Sequence, residues 1–184
     1  ADDQVRLAAG LDDYAARTDA VDGALRTLAA AGEVPGWRDE PYPVGTGFHA
    51  APLFQMERAA VPRFGIPAYG IHVNGYVRDG GQIRMWIGRR ALDKPTYPGE
   101  LDNMIAGGQP VGIGLMENVI KEAAVPAALA ATAVAVGAIS YCQETADGLK
   151  PDVMFTYDLE LPADFVPHNT DGEIAEFMLL PARE

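Results

Sequence analysis

An α+β fold, with a mixed sheet packed against helices and a helical extension in front of it, is what this sequence predicts. Three observations carry that expectation. Two alternating runs, residues 69–76 and 82–89, flank Asp79-Gly80-Gly81 and form a β-hairpin signal. Further strand-like runs are expected at residues 104–107, 133–143, 154–161 and 174–180. Only one long helical stretch interrupts them, between Ile113 and about Ala124. Strands, one helix and more strands give a sheet with a helix laid on it.

The elements before the hairpin read differently. Residues 11–31 predict a helix, because Tyr14, Val21, Leu25 and Leu28 fall on one face. Asp12 and Asp13 place negative charge at its start, and Gly32 followed by Pro35 ends it. This helix carries no catalytic pattern and reads as scaffold or as one side of a partner interface. Residues 36–47 are rich in Gly and Pro and read as a linker or turn-rich excursion. Residues 52–63 allow a short helix before Pro67. The expected division is a helical extension and linker over 1–65 and a catalytic-type domain over 66–184, the latter with an apparently truncated C-terminus.

Composition narrows the partners. The chain has 184 residues, 48% of them apolar and 22% charged, with a net charge of −12. Apolar content of that order suffices for a full core. Such acidity gives no general attraction to nucleic acid or to an anionic membrane. It is compatible with a site that recruits divalent cations, although most of the acids read as solvated surface. A lone cysteine, Cys142, rules out an intrachain disulfide framework and reads as a buried structural thiol in an apolar run. With no secretory leader pattern and no 18-residue apolar run, cytoplasm is the expected location.

The chemistry-bearing stretch runs from Trp86 to Pro126. Arg89-Arg90 close the second hairpin strand, and the run Lys94-Pro95-Thr96-Tyr97-Pro98-Gly99-Glu100-Leu101-Asp102-Asn103 follows. Ala106-Gly107-Gly108 then precede a helix carrying Glu117, Lys121 and Glu122. Glycines ahead of a helix let backbone approach a ligand closely. In this combination the segment resembles the Nudix hydrolases, and within them the branch related to thiamine pyrophosphokinase. The runs His72-Val73-Asn74-Gly75-Tyr76-Val77 and Asp171-Gly172-Glu173-Ile174-Ala175-Glu176-Phe177 resemble that branch too, so the similarity spans about residues 48–181.

The resemblance implies an α/β/α sandwich, a Mg2+ (or Mn2+) cofactor and a small-molecule diphosphate substrate, with thiamine-diphosphate-like molecules included. It also implies roles. Glu122 is the metal-holding acid, with Lys121 beside it where the family has arginine. Counted from Gly108, the spacing to Lys121 is one residue shorter than the family pattern. The main departure follows Glu122. Where the pattern has a Glu-Glu pair after two further residues, this chain reads Ala123-Ala124-Val125-Pro126. Glu117 does not replace the pair, because residues five apart point about 140° away from each other around a helix. An ion pair from Glu117 to Lys121 is expected instead. Two readings of the departure stand: a real deletion that weakens the enzyme, or natural residues absent from this sequence.

Other candidates complete the expected site. Glu173 is the late acid near the metal or the attacking water, with Glu176 pointing to the opposite face of its strand. Arg89 and Arg90 read either as forks on phosphate oxygens or as a solvated pair. Gly107 and Gly108 line the diphosphate. His72, with Asn74 on the same strand face, reads as part of a base or ring pocket or as a satisfied core histidine. His49 and His168 show no metal-ligand spacing. The expected function is Mg-dependent hydrolysis of an organic diphosphate. The alternative is a Nudix-fold module that binds a diphosphate without turning it over. A homodimer is the expected assembly.

Overall fold

The structure is a computed structural model, and it describes residues 8–94, 96–169 and 172–182. Pro95 and Asp171, which belong to the motifs quoted above, lie outside the described residues. The chain forms two compact units. The first comprises Ala1–Ala68, Pro110–Gly112 and Tyr141–Asp152; the second comprises Tyr69–Gln109, Ile113–Ser140 and Val153–Glu184.

In the first unit, helix α1 spans Tyr14–Ala30. Asp13 caps it, its carboxylate accepting the Ala16 N–H at 2.8 Å. Leu25 is buried, while Tyr14 and Leu28 at the ends of the expected apolar face stay about one-third exposed. The helix lies on strand β2, where the Tyr14 hydroxyl donates to Gln55 and the Gln55 N–H donates to Thr18 Oγ1. Strands β1 (Pro41–Val44) and β2 (Phe54–Glu57) pair antiparallel, Tyr42 opposite Met56.

These strands correct two expectations. Residues 36–47 contain a strand despite Pro41 and Pro43, because a two-stranded ribbon has open edges where a proline needs no partner. Residues 52–63 form β2 and a 3-10 helix, Arg58–Phe64, in place of one short helix. Pairing with β1 outweighs local propensity there. Buried Glu57 then accepts the N–H groups of Arg38 and Ala59, both at 3.0 Å. The unit closes over Leu25, Val34, Tyr42, Val44, Met56, Ala60 and Val61.

The second unit is built on a sheet. Its strands are β3 (Ala68–Asp79), β4 (Gln82–Arg90), β5 (Leu101–Asn103), β6 (Ile105–Gly108), β7 (Val134–Thr145), β8 (Gly148–Glu160) and β9 (Ile174–Pro181). The order is β5-β4-β3-β8-β7, with β6 on β3 and β9 on β4. Asp79-Gly80-Gly81 makes the expected hairpin, Asp79 pairing with Gln82. Both glycines have positive φ, 55° and 85°, as a type I′ hairpin turn requires of both its central residues.

Along β3, Ile71, Val73 and Val77 are buried, while His72, Asn74 and Tyr76 between them are only partly so. Helices α2 (Leu115–Glu122) and α3 (Ala127–Ala130) belong to the buried side. Val119 of α2 packs there with Ile71, Val73, Trp86, Tyr157 and Leu159. The expected α+β arrangement is therefore the observed one. Cys142 is exposed, contrary to expectation, because β7 is an edge strand open on both faces. No helix among the described residues is long and apolar enough to cross a membrane.

Candidate active site

Strand β6 delivers Gly107-Gly108 to the start of the segment that leads into α2. Two buried amides fix that segment. Gln109 Nε2 donates to the Ile113 carbonyl at 2.7 Å. Asn118, fully buried on α2, donates through Nδ2 to the Gly108 carbonyl at 2.8 Å and to Gln109 Oε1 at 3.0 Å. The Gln109 N–H is bonded to Tyr69 O in β3. Sequence reasoning gave neither amide a role, although Asn118 lies within the helix run that carries the resemblance.

Helix α2 begins at Gly114, which has no side chain to cap it. Glu117 turns back to this end, its Oε2 3.4 Å from the Gly114 N–H, a weak bond favoured by the helix dipole. The ammonium of Lys121 lies 3.0 Å from Glu122 Oε1. The expected pairing of Glu117 with Lys121 thus gives way to a cap at one end and a Lys121–Glu122 contact at the other. The helix stops at Glu122, and Ala123 is extended with ψ 119°. Pro126 keeps the helix from running on, since it has no N–H to donate to the Glu122 carbonyl four residues before it and its ring would clash with that carbonyl. The turn on which a further acid pair would sit is absent.

Glu122 lies directly over Gly107. A Cβ at Gly107 would stand 2.5 Å from Glu122 Cγ and 2.7 Å from its Cδ. Only glycine permits this seat. Gly107 lies fourteen residues before Lys121, so a count taken from it in place of Gly108 has no contraction.

The remaining candidates are not gathered around Glu122. In the β3–β6 register Gly107 faces Ile71, whereas His72 faces Ala106. Neighbouring residues of a strand point to opposite faces, so Glu122 and the His72–Asn74 pair lie on opposite sides of the sheet. Asn74 is engaged in a chain there, accepting from Asn103 at 2.7 Å and donating to Asp158 at 2.9 Å. His72 borders a cleft of about 540 Å³ with Met85, Ile87, Asp102, Asn103 and Leu180.

Arg90 is mostly buried and forms an ion pair with Asp102 at 2.9 Å, while its other donors reach the Thr96 carbonyl. Arg89 binds Glu176 at 2.8 Å and the Gly99 carbonyl at 3.0 Å. Lys94 pairs with Glu173. These contacts tie the loop of residues 91–100 to the ends of β4 and β9. The donor chemistry bears on a metal as well. Among the described residues no three His, Cys, Asp or Glu side chains converge on one point. One half-buried carboxylate beside a lysine does not make a metal site held by protein alone. It does fit magnesium carried in on a diphosphate, which needs only one or two protein carboxylates.

Burial lowers the His72 pKa from its ordinary 6.5, and the nearby Asp102 carboxylate opposes part of that shift. The folded state then resists a proton that the unfolded chain accepts. The His72 contribution to stability is full above pH 6.5 and is lost as pH falls through the window below it. Urea midpoints measured from about pH 7 to about pH 5 should decline less steeply for His72→Gln than for the parent. Parallel profiles would remove His72 as the source.

A family model described as a domain of unknown function, DUF4743, matches residues 1–68. Nudix hydrolase 20, chloroplastic, of Arabidopsis thaliana is 49% identical over 172 residues, covering 91% of this chain and 46% of that protein. Nudix hydrolase 24, chloroplastic, of the same plant is 48% identical over 178 residues, covering 95% of this chain and 49% of that protein. The chain therefore spans about half the length of the curated relatives it matches. Among solved structures, DR0079 from Deinococcus radiodurans superposes with a TM-score of 0.54 at 18% identity, covering 77% of this chain and 83% of that one. That likeness concerns the fold.

Proposed function

This chain belongs to the Nudix hydrolase family, and from that premise we propose that it is a Mg-dependent (or Mn-dependent) hydrolase of a small organic diphosphate, working slowly. The observation that carries the reading is the seat of Glu122 over Gly107 at the end of the loop–helix segment. In this reading Glu122 holds the metal that arrives on the diphosphate. When bound, the ion neutralises charge developing on the phosphate oxygens.

The protein's own groups do the rest. Gly107, without a side chain, leaves room for the Glu122 side chain against β6. Lys121 keeps positive charge beside Glu122 and faces the same oxygens. Glu173, paired with Lys94, takes no part at the phosphorus. Water adds to one phosphorus, the bond from that phosphorus to the bridging oxygen breaks, and the proton released passes to a carboxylate or to solvent. Arg89 and Arg90 act by holding the loop of residues 91–100, since their donors are already engaged there. Thiamine-diphosphate-like molecules are included as substrates on the strength of the sequence resemblance.

A second reading rests on a specific feature: α2 ends at Glu122, and Ala123-Ala124-Val125-Pro126 supply no further acid. On that reading the domain binds a diphosphate without cleaving it. A panel of organic diphosphates with magnesium or manganese separates the two. Release of a phosphate-containing product supports the hydrolase. A rise in melting temperature with metal plus diphosphate, without product, supports the binding module. Neither response would defeat both.

A further inference from the structure

Asn118 and Glu122 lie four residues apart on α2. They share one face of the helix, about 6 Å apart along its axis. Both meet β6, at consecutive residues. Asn118 Nδ2 donates to the Gly108 carbonyl at 2.8 Å. The Glu122 side chain lies against Gly107, where a Cβ would stand 2.5 Å from Glu122 Cγ. The spacing of helix and strand at Gly108 therefore sets the room left for the carboxylate at Gly107.

The bonding of Asn118 has a direction. The Gly108 carbonyl and Gln109 Oε1 are both acceptors, and Gln109 Nε2 is already engaged by the Ile113 carbonyl. The Asn118 amide therefore has one orientation, with both N–H bonds aimed at residues 108 and 109. Its Oδ1 is buried without a hydrogen-bond partner. All of its polar bonding thus goes to the junction of β6 and α2, which the Gln109 N–H ties on to Tyr69 O in β3. Val119, the next residue, is fully buried in the core. Apolar burial holds the helix to the sheet without direction, whereas two hydrogen bonds fix its rotation and slide. We propose that Asn118 is a positioning residue that acts through Glu122, its two bonds aiming the carboxylate at the metal carried on the diphosphate. This rests on the assignment of Glu122 to the metal under the proposed function.

The test is a double-mutant cycle on the parent, Asn118→Ala, Glu122→Gln and the double variant, at a temperature where all four are folded. Two readouts are taken. One is the retention of Mn2+ in the presence of methylenediphosphonate, whose P–C–P link water does not cleave, followed as free Mn2+ by electron paramagnetic resonance. The other is the initial rate on a cleavable diphosphate. Asn118→Ala is expected to weaken retention and to slow the reaction by about 10-fold each, since small misplacements of a reacting group are costly. In the Glu122→Gln background the same change should add nothing, because the two residues act as one. If Asn118→Ala does not fold, Gln109→Met removes one of the two bonds and carries the same cycle, with an expected fall of about 3-fold. Retention unchanged in the Asn118 or Gln109 variant, or lowered by the same factor in both backgrounds, marks a merely structural role and overturns the inference. A parent that holds no more Mn2+ than Glu122→Gln overturns the assignment of Glu122 and this inference with it. If the parent cleaves no diphosphate, the hydrolase reading fails while the retention ratios still decide the positioning.

Discussion

Inserting Glu-Glu-Ala between Ala124 and Val125 is expected to raise diphosphate hydrolysis by about 100-fold, equivalent to roughly 2.7 kcal/mol off the barrier. The insertion moves Pro126 away from Glu122 and lets α2 continue by about one turn. It places two carboxylates three and four residues after Glu122, on the same helix face. A magnesium-bearing diphosphate would then meet three acids where the chain now presents one. The readout is the initial rate of phosphate release at saturating magnesium, with helix content followed by circular dichroism. A longer helix without a faster reaction would show that the short acid set does not limit the rate.

Removing the Asn118 amide has the largest expected effect on stability. In Asn118→Ala, the Gly108 carbonyl and Gln109 Oε1 each lose a donor. Leaving buried acceptors unpaired costs about 1–3 kcal/mol each. Part of this is recovered, because Asn118 Oδ1 is itself buried without a partner. A net loss of about 2 kcal/mol follows, or about 4–8 °C in melting temperature for a chain of this length. Asn118→Asp should be worse, since it sets a carboxylate against two acceptors. Equal melting temperatures for the parent and both variants would show that the lock does not hold the segment.

Much of this was legible in the sequence, for identifiable reasons. The β3–β4 hairpin was readable because Asp-Gly-Gly at positions 79–81 has a local meaning. β1 was hidden because its prolines look like breakers until its partner is known. β5, only three residues long, has no pattern of its own. Glu122 could be picked out from motif spacing, and the same spacing distinguishes Gly107 from Gly108 once the count to Lys121 is taken from each. Counting to Lys121 gives fourteen residues from Gly107 and thirteen from Gly108, and the packing of Glu122 over Gly107 agrees with the longer count. Grouping His72 and Asn74 with Glu122 failed. Proximity in a motif does not reveal which side of the sheet a residue faces, and the pairing of Gly107 with Ile71 decides it. Arg90 stayed open between a phosphate fork and a solvated cation because its partner Asp102 is twelve residues away, beyond any local pattern.

The account depends on Glu122, and the rate of diphosphate hydrolysis by Glu122→Gln tests it most directly. The substitution keeps the size of the side chain and its seat over Gly107 while removing the charge that would hold magnesium. With magnesium and a diphosphate that the parent cleaves, the account predicts a fall of about 100-fold at unchanged melting temperature. A variant as active as the parent, or a parent that cleaves no diphosphate in the panel, would contradict it.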